Sequence, residues 1–122
     1  MLLNHFYTIS DTQLTGNELT VTLTINKEHS IFEGHFPGQP VVPGVCMMQM
    51  ILELMEQVTG KRLKLITAHD MKFLAVINPQ VNNSVSATVK YTEDEGETFS
   101  ASATIFCNET VHFRFKGQFG FL

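Results

Sequence analysis

The stretch that most constrains the fold is Gly44–Thr59, GVCMMQMILELMEQVT. It lacks a run of β-branched residues, follows Pro43 and ends before Gly60, which together predict a single helix. Its apolar side chains cover most of the circumference. The polar side chains form one narrow stripe: Gln49, Glu53, Glu56 and Gln57. A helix that is apolar on nearly every side must be enclosed by other structure.

The rest of the chain supplies strands that can enclose this helix. Leu19–Asn26 alternates apolar and polar residues, which is typical of a half-buried strand, and residues 27–34 read as a polar loop. Four later segments also have the composition of strands: Met71–Ile77, Ser84–Tyr91, Thr98–Phe106 and Val111–Phe119. We therefore expect an α+β fold, a single domain over residues 1–122 in which an antiparallel β-sheet wraps around one long central helix. The edges of such a sheet predict at least a dimer.

Composition and charge exclude several classes of protein. The apolar fraction of 43% excludes a disordered chain. The start, MLLNHFYTIS, lacks the features of a signal peptide, and Gln49 and Glu53 interrupt the longest apolar stretch, so we expect no membrane span. A net charge of −4 argues against nucleic-acid binding. Cys46 and Cys107 have no metal-type spacing, which favours a cytoplasmic protein with free thiols and no bound metal.

A Gly/Pro-rich arch, GHFPGQPVVPGV at residues 34–45, leads into the helix. The first N–H groups of a helix are unpaired and carry partial positive charge, so they can bind a carbonyl oxygen that becomes an enolate. His35 lies on the same arch, and histidine is the common side chain that changes charge near neutral pH. A base beside an oxyanion donor can remove a proton alpha to a thioester. From the residues alone, a histidine that only hydrogen-bonds the arch is the favoured alternative.

The arch resembles the signature of the 3-hydroxyacyl-[acyl-carrier-protein] dehydratases, which have the hotdog fold. Their H-F-P-G, variable residue, P, two apolar residues and P-G-V match His35–Val45, and the likeness extends through HDMKFLAVINP to most of the chain. The resemblance implies a homodimer or larger assembly with the active site between subunits. In it, His35 would take or return the C2 proton of a 3-hydroxyacyl thioester, and the Gly44 N–H would bind the thioester carbonyl. Further substrate-binding residues would be Phe36, Pro43 and Val45. The reaction, which gives the trans-2-enoyl thioester, needs no metal or redox cofactor.

One position departs from that family. Its members carry a carboxylate fourteen residues after the histidine, where this chain has Gln49, and a neutral amide cannot act as an acid. Glu53 lies on the same helix face, roughly 6 Å further along the axis. Three alternatives stay open. In the first, the protein is an active dehydratase, in which either Glu53 replaces the acid or Gln49 positions the hydroxyl while His35 carries both proton steps. In the second, the protein is a catalytically weakened or subunit-dependent relative. In the third, it is a thioesterase.

The carrier of the acyl group is also left open. Acyl-carrier proteins are acidic, so docking one needs a basic patch. Lys61, Arg62 and Lys64, together with Lys72, form the basic cluster expected near the site. The basic residues that the family carries after its Lys–Phe pair are replaced here by Leu74 and Ala75. Both an acyl-carrier-protein thioester and a coenzyme A thioester therefore remain possible substrates.

Overall fold

The structure, a computed structural model, describes residues 1–34 and 40–122. Within those ranges a six-stranded antiparallel sheet has the strand order β1-β2-β4-β5-β6-β3. In chain order the elements are β1 Tyr7–Thr15, β2 Glu18–Ile25, α1 Ile31–Gly34, α2 Gly44–Thr59, β3 Leu63–Phe73, β4 Ser84–Asp94, β5 Thr98–Cys107 and β6 Thr110–Phe121. The sheet therefore has two edges, β1 and β3.

Helix α2 has the bounds that the sequence predicts. Pro43 precedes it with extended backbone, φ −62° and ψ 145°, so the ring directs the chain into the first turn. Gly60 ends it in the left-handed region at φ 70°, and its N–H donates to the carbonyl of Glu56. Most of the apolar face of α2 is buried, but Val45 is 75% exposed. The chain by itself encloses the helix only in part.

The inner face of the sheet supplies the rest of the core. In β2 the apolar residues Leu19, Val21, Leu23 and Ile25 are buried and alternate with more exposed residues, as the period of a strand requires. Strands β4, β5 and β6 repeat this alternation against α2. The largest buried side chains of β6 are three phenylalanines: Phe113, Phe115 and Phe119. No helix in the described ranges is long and apolar enough to cross a bilayer.

Three sequence-based assignments were wrong, two of them at the edges of the sheet. β1 was not predicted, because YTISDTQLT is mostly exposed and lacks a buried face that would produce alternation. The predicted strand Met71–Ile77 is instead β3, Leu63–Phe73, whose register shifts twice and so breaks the period of two. The predicted loop at residues 27–34 contains the short helix α1, Ile31–Gly34.

Candidate active site

Five residues of the arch, 35–39, lie outside the described residues. His35 and Phe36 both fall in the gap between residues 34 and 40, so the hypotheses about them remain hypotheses from the sequence. The described end of the arch is held to the segment between β3 and β4, because the N–H of Val42 donates to the carbonyl of Ile77 at 2.9 Å. This bond fixes the approach of the chain to Pro43 and the start of α2.

An apolar groove of about 390 Å³ opens at the start of α2, and we call it the α2 groove. Its lining is Val41, Val42, Pro43, Gly44, Met47, Phe73, Leu74, Ala75 and Val76. Pro43 and Gly44, both predicted to bind substrate, lie in it. Val45 does not line it and instead projects outward.

Gly44 has a packing role as well as its position at the helix start. A Cβ atom at Gly44 would lie 2.8 Å from Cε1 of Phe73, so only glycine lets that ring rest on the first turn. The Phe73 ring stacks on Phe113 at a centroid distance of 5.0 Å but is still 53% exposed. Cys46 and Met47 already donate to the carbonyl of Pro43. The preceding N–H groups, of Gly44 and Val45, are therefore the outermost donors of the helix N-terminus.

Glu53 is buried in the middle of α2, with no exposed surface. Its Oε1 accepts the N–H of Leu3 at 2.8 Å and the hydroxyl of Tyr7 at 3.1 Å. Its Oε2 accepts the N–H of Leu2 at 2.9 Å and an amide N–H of Gln49 at 2.8 Å. We call these five residues the carboxylate cluster. A carboxylate has about four lone-pair sites, and here four donors occupy them.

The cluster changes the chemistry of Tyr7. Burial, followed by the negative charge of Glu53, raises the pKa of the Tyr7 hydroxyl well above its ordinary value of 10.0. The hydroxyl therefore stays protonated and keeps donating to the carboxylate. Sequence reasoning missed Tyr7, Leu2 and Leu3, because nothing in MLLNHFY indicates that two backbone N–H groups and a phenol meet a glutamate some fifty residues later.

The polar stripe of α2 is not a solvated face at its two glutamates. Glu53 is buried, and Glu56, which is half-buried, accepts the N–H of Leu63 at 2.9 Å and so ties α2 to the start of β3. Gln57 alone of the four polar residues is exposed. Both glutamates thus satisfy backbone donors of neighbouring segments.

Gln49 is half-buried and lines a second cleft, of about 510 Å³, that we call the Gln49 cleft. The rest of its lining is Met1, Leu52, Glu56, Gly60, Lys61, Arg62, Leu63 and Leu122. Five residues of helix separate Gly44 from Gln49, which places the two about 140° apart around the axis. One chain therefore brings Gln49 and Glu53 together, but it does not bring Gln49 into the α2 groove.

The predicted basic cluster is divided in two. Lys61 and Arg62 line the Gln49 cleft, and Lys64 follows at the start of β3. Lys72 lies at the opposite end of β3, roughly 25 Å from Lys64 at about 3.3 Å per residue. Its ammonium group there is 4.0 Å from Asp70. Grouping Lys72 with the other three was wrong, because β3 is a long extended strand.

Comparisons with known proteins identify the family. Residues 11–114 match the ApeI-like family, described as ApeI dehydratase, and the chain belongs to that family. The chain is 25% identical over 107 residues to a 3-hydroxyacyl-[acyl-carrier-protein] dehydratase FabZ of Syntrophobacter fumaroxidans, covering 81% of this chain and 71% of the relative. It is 32% identical over 71 residues to the FabZ of Lactiplantibacillus plantarum, covering 52% of this chain and just under half, 48%, of the relative.

The fold has a close match among solved structures. The dehydratase heterocomplex ApeI:P from Xenorhabdus doucetiae superposes with a TM-score of 0.73 at 16% identity, covering 92% of this chain and 96% of that one. The six-stranded antiparallel sheet around one main helix is thus the hotdog fold, and the fold that the arch implied is confirmed.

Proposed function

We propose that this protein removes water from a 3-hydroxyacyl thioester, bound to an acyl-carrier protein or to coenzyme A, and forms the trans-2-enoyl thioester. The observation that carries the proposal is the α2 groove, an apolar channel that ends on the N-terminus of α2 at Gly44. An acyl chain can lie along such a groove while its thioester carbonyl meets the helix N–H groups. Membership of a dehydratase family supports the same reaction.

In this proposal His35 is the catalytic base. Its imidazole takes the C2 proton, the C2–H electron pair forms the double bond to C3, and the C3–O bond breaks. The Gly44 N–H stabilises the negative charge on the thioester oxygen, and the departing hydroxide takes a proton to leave as water. The elimination is redox-neutral and uses side-chain and backbone groups only. Phe36, Pro43 and Val45 are assigned to substrate contacts, and Gln49 or Glu53 to the side of the leaving hydroxyl.

The test is turnover of a 3-hydroxybutyryl thioester, with enoyl product and free thiol measured together. His35→Ala should lower kcat/KM by at least about 10²-fold, the scale of general acid–base catalysis. Release of free thiol without enoyl product would overturn dehydration in favour of thioester hydrolysis. A wild type that is inactive and gains activity as Gln49→Glu would show a weakened relative.

We further propose that two chains share each site. Val45 is 75% exposed, Val76 is 68% exposed and Phe73 is 53% exposed, so the described residues leave an apolar face beside the α2 groove uncovered. Because Gln49 and Gly44 lie on different faces of α2, the Gln49 cleft of one chain would face the α2 groove of another. The second chain is either a copy of this one or a related hotdog chain, as the heterocomplex of the Xenorhabdus doucetiae protein suggests.

Mixed assemblies test this arrangement. If each site takes His35 from one chain and Gln49 from another, His35→Ala and Gln49→Leu chains, each of reduced activity, form some dimers with one intact site when they are refolded together. Random pairing then restores about a quarter of wild-type activity. If both residues serve a site within one chain, the mixture shows only the reduced activities of the two variants. Activity that appears only with a carboxylate-bearing hotdog chain would instead show a subunit-dependent enzyme.

A further inference from the structure

We propose that Glu53 is a positioning residue that acts through Gln49: its buried carboxylate turns the Gln49 amide so that the carbonyl oxygen Oε1 accepts a hydrogen bond from the 3-hydroxyl of the substrate. The inference rests on the proposed function and deepens it. It decides between the two residues left open for the side of the leaving hydroxyl.

Glu53 has no acceptor site to spare. Each of its oxygens accepts one backbone N–H, from Leu2 or Leu3, and a backbone N–H cannot reverse its role. The hydroxyl of Tyr7 and the amide of Gln49 occupy the other two sites. A substrate hydroxyl would have to displace one of these bonds inside a region with no exposed surface. Glu53 is therefore poorly placed to meet the substrate itself.

The carboxylate of Glu53 fixes the orientation of the Gln49 amide. Nε2 lies 2.8 Å from Oε2 of Glu53. A carboxylate that already receives three other donors is an acceptor only, so the amide must direct its N–H toward Glu53. Hydrogen bonds to a charged group are roughly twice as strong as neutral ones, which holds this orientation. The carbonyl oxygen Oε1 and the second N–H are left for the Gln49 cleft, which Gln49 lines.

The orientation of Gln49 determines what it can do in the reaction. An oriented Oε1 accepts the hydrogen of the 3-hydroxyl and so aligns the C3–O bond, but it has no proton to give. The proton that completes the leaving water then comes from His35, which acquired it from C2, so one imidazole carries both transfers. Gln49 holds the hydroxyl, Glu53 holds Gln49, and neither side chain gains or loses a proton over the cycle.

A double-mutant cycle tests the coupling. The effect of Glu53→Gln on kcat is measured in two backgrounds, the wild type and Gln49→Leu. We expect Glu53→Gln to lower kcat about tenfold in the wild-type background, with a smaller change in KM, and to have no further effect once Gln49 is replaced. An equal loss in both backgrounds would overturn the inference, because Glu53 would then act on the substrate directly or only support the fold.

Two further variants separate positioning from folding. Val89→Ala removes buried volume from β4 at a residue that lines neither the α2 groove nor the Gln49 cleft, so it should lower Tm while kcat stays within about twofold. Gln49→Glu/Glu53→Gln exchanges the two groups, and we expect it to recover at least the wild-type kcat. Loss of kcat in Val89→Ala in proportion to Tm, or no recovery in the exchanged pair, contradicts the positioning role.

A binding measurement keeps this inference distinct from the proposed reaction. His35→Ala should bind a 3-hydroxybutyryl thioester about tenfold more tightly than the butyryl thioester, and adding Glu53→Gln should remove that preference. If wild type turns over no thioester but the preference and its dependence on Glu53 persist, the reaction fails and the inference stands. If turnover is observed without any hydroxyl preference, the reaction stands and the inference fails.

Discussion

The carboxylate cluster and the α2 groove lie on the same helix and differ in how completely the chain fills them. In the cluster, four donors occupy a glutamate with no exposed surface. In the groove, apolar side chains such as Val76, 68% exposed, face open space. A buried charge is stable only when it is fully hydrogen-bonded or paired. An exposed apolar surface costs less and can be covered later by a ligand or another chain. The carboxylate cluster thus has all its hydrogen-bond partners within the chain, whereas the α2 groove is exposed.

The largest effect should come from removing the charge at the centre of the cluster. Glu53→Leu keeps the volume but leaves the N–H groups of Leu2 and Leu3 and the hydroxyl of Tyr7 without an acceptor. Each buried donor left unpaired costs about 1–3 kcal/mol, and access to water near the N-terminus lowers that cost. We therefore expect the free energy of unfolding to fall by about 3 kcal/mol in total. Urea denaturation measures it. The matched Gln49→Leu should cost less than about 1 kcal/mol; equal losses would break the contrast between the two regions.

The next effect concerns the open region. Phe73→Asp places a charge on the exposed face beside the α2 groove, and burying it against another chain should weaken self-association by about 2 kcal/mol, roughly thirtyfold in Kd. Sedimentation velocity over a concentration series checks this. Lys90→Asp, at an exposed position on β4, serves as the control. A wild type that stays monomeric at every concentration would show that a copy of this chain does not cover the face.

Alkaline pH should destabilise the folded chain through the cluster. The pKa of Tyr7 is raised in the folded chain, by burial first and by Glu53 second. Above about pH 10 an unfolded tyrosine loses its proton while the folded one keeps it, so the unfolded state is favoured as pH rises. We expect stability to fall by up to about 1.4 kcal/mol per pH unit in that range. Tyr7→Phe removes this contribution and leaves that of Cys46, whose pKa is also raised by burial; an unchanged slope would contradict the contribution of Tyr7.

The smallest effect on stability should come from Gly44. In Gly44→Ala the new Cβ displaces the half-exposed ring of Phe73, while the helix gains about 1 kcal/mol from the better propensity of alanine. The two terms offset each other, and we expect Tm to change little. The displaced ring narrows the α2 groove, so KM for the acyl thioester should rise several-fold. A normal KM would show that the groove does not hold the acyl chain.

The sequence predicts the parts of this protein that depend on local patterns. The helix Gly44–Thr59 and its Gly60 end are confirmed, as are the strands of the central sheet, because burial on one face imposes a period that can be read directly. The edge strands were missed or displaced, since β1 is mostly exposed and β3 contains two register shifts. The hotdog fold followed from a resemblance carried by the arch and is confirmed by the structural match.

The candidate site divides in the same way. The pair Gln49 and Glu53 could be found from helical spacing, because residues four apart lie on one face. Which of them faces the cleft could not, since that depends on donors from Leu2, Leu3 and Tyr7, about fifty residues away in sequence.

The sequence by itself determined a helix that is apolar nearly all round, strands to enclose it, and a stiff arch that leads to its N-terminus. Only the tertiary structure decided that Glu53 is buried with four donors, that Gln49 lines a cleft apart from Gly44, and that Glu56 joins α2 to β3. Periodicity records which side of an element is apolar. It does not record which polar groups meet, because hydrogen-bond partners far apart in sequence leave no periodic trace.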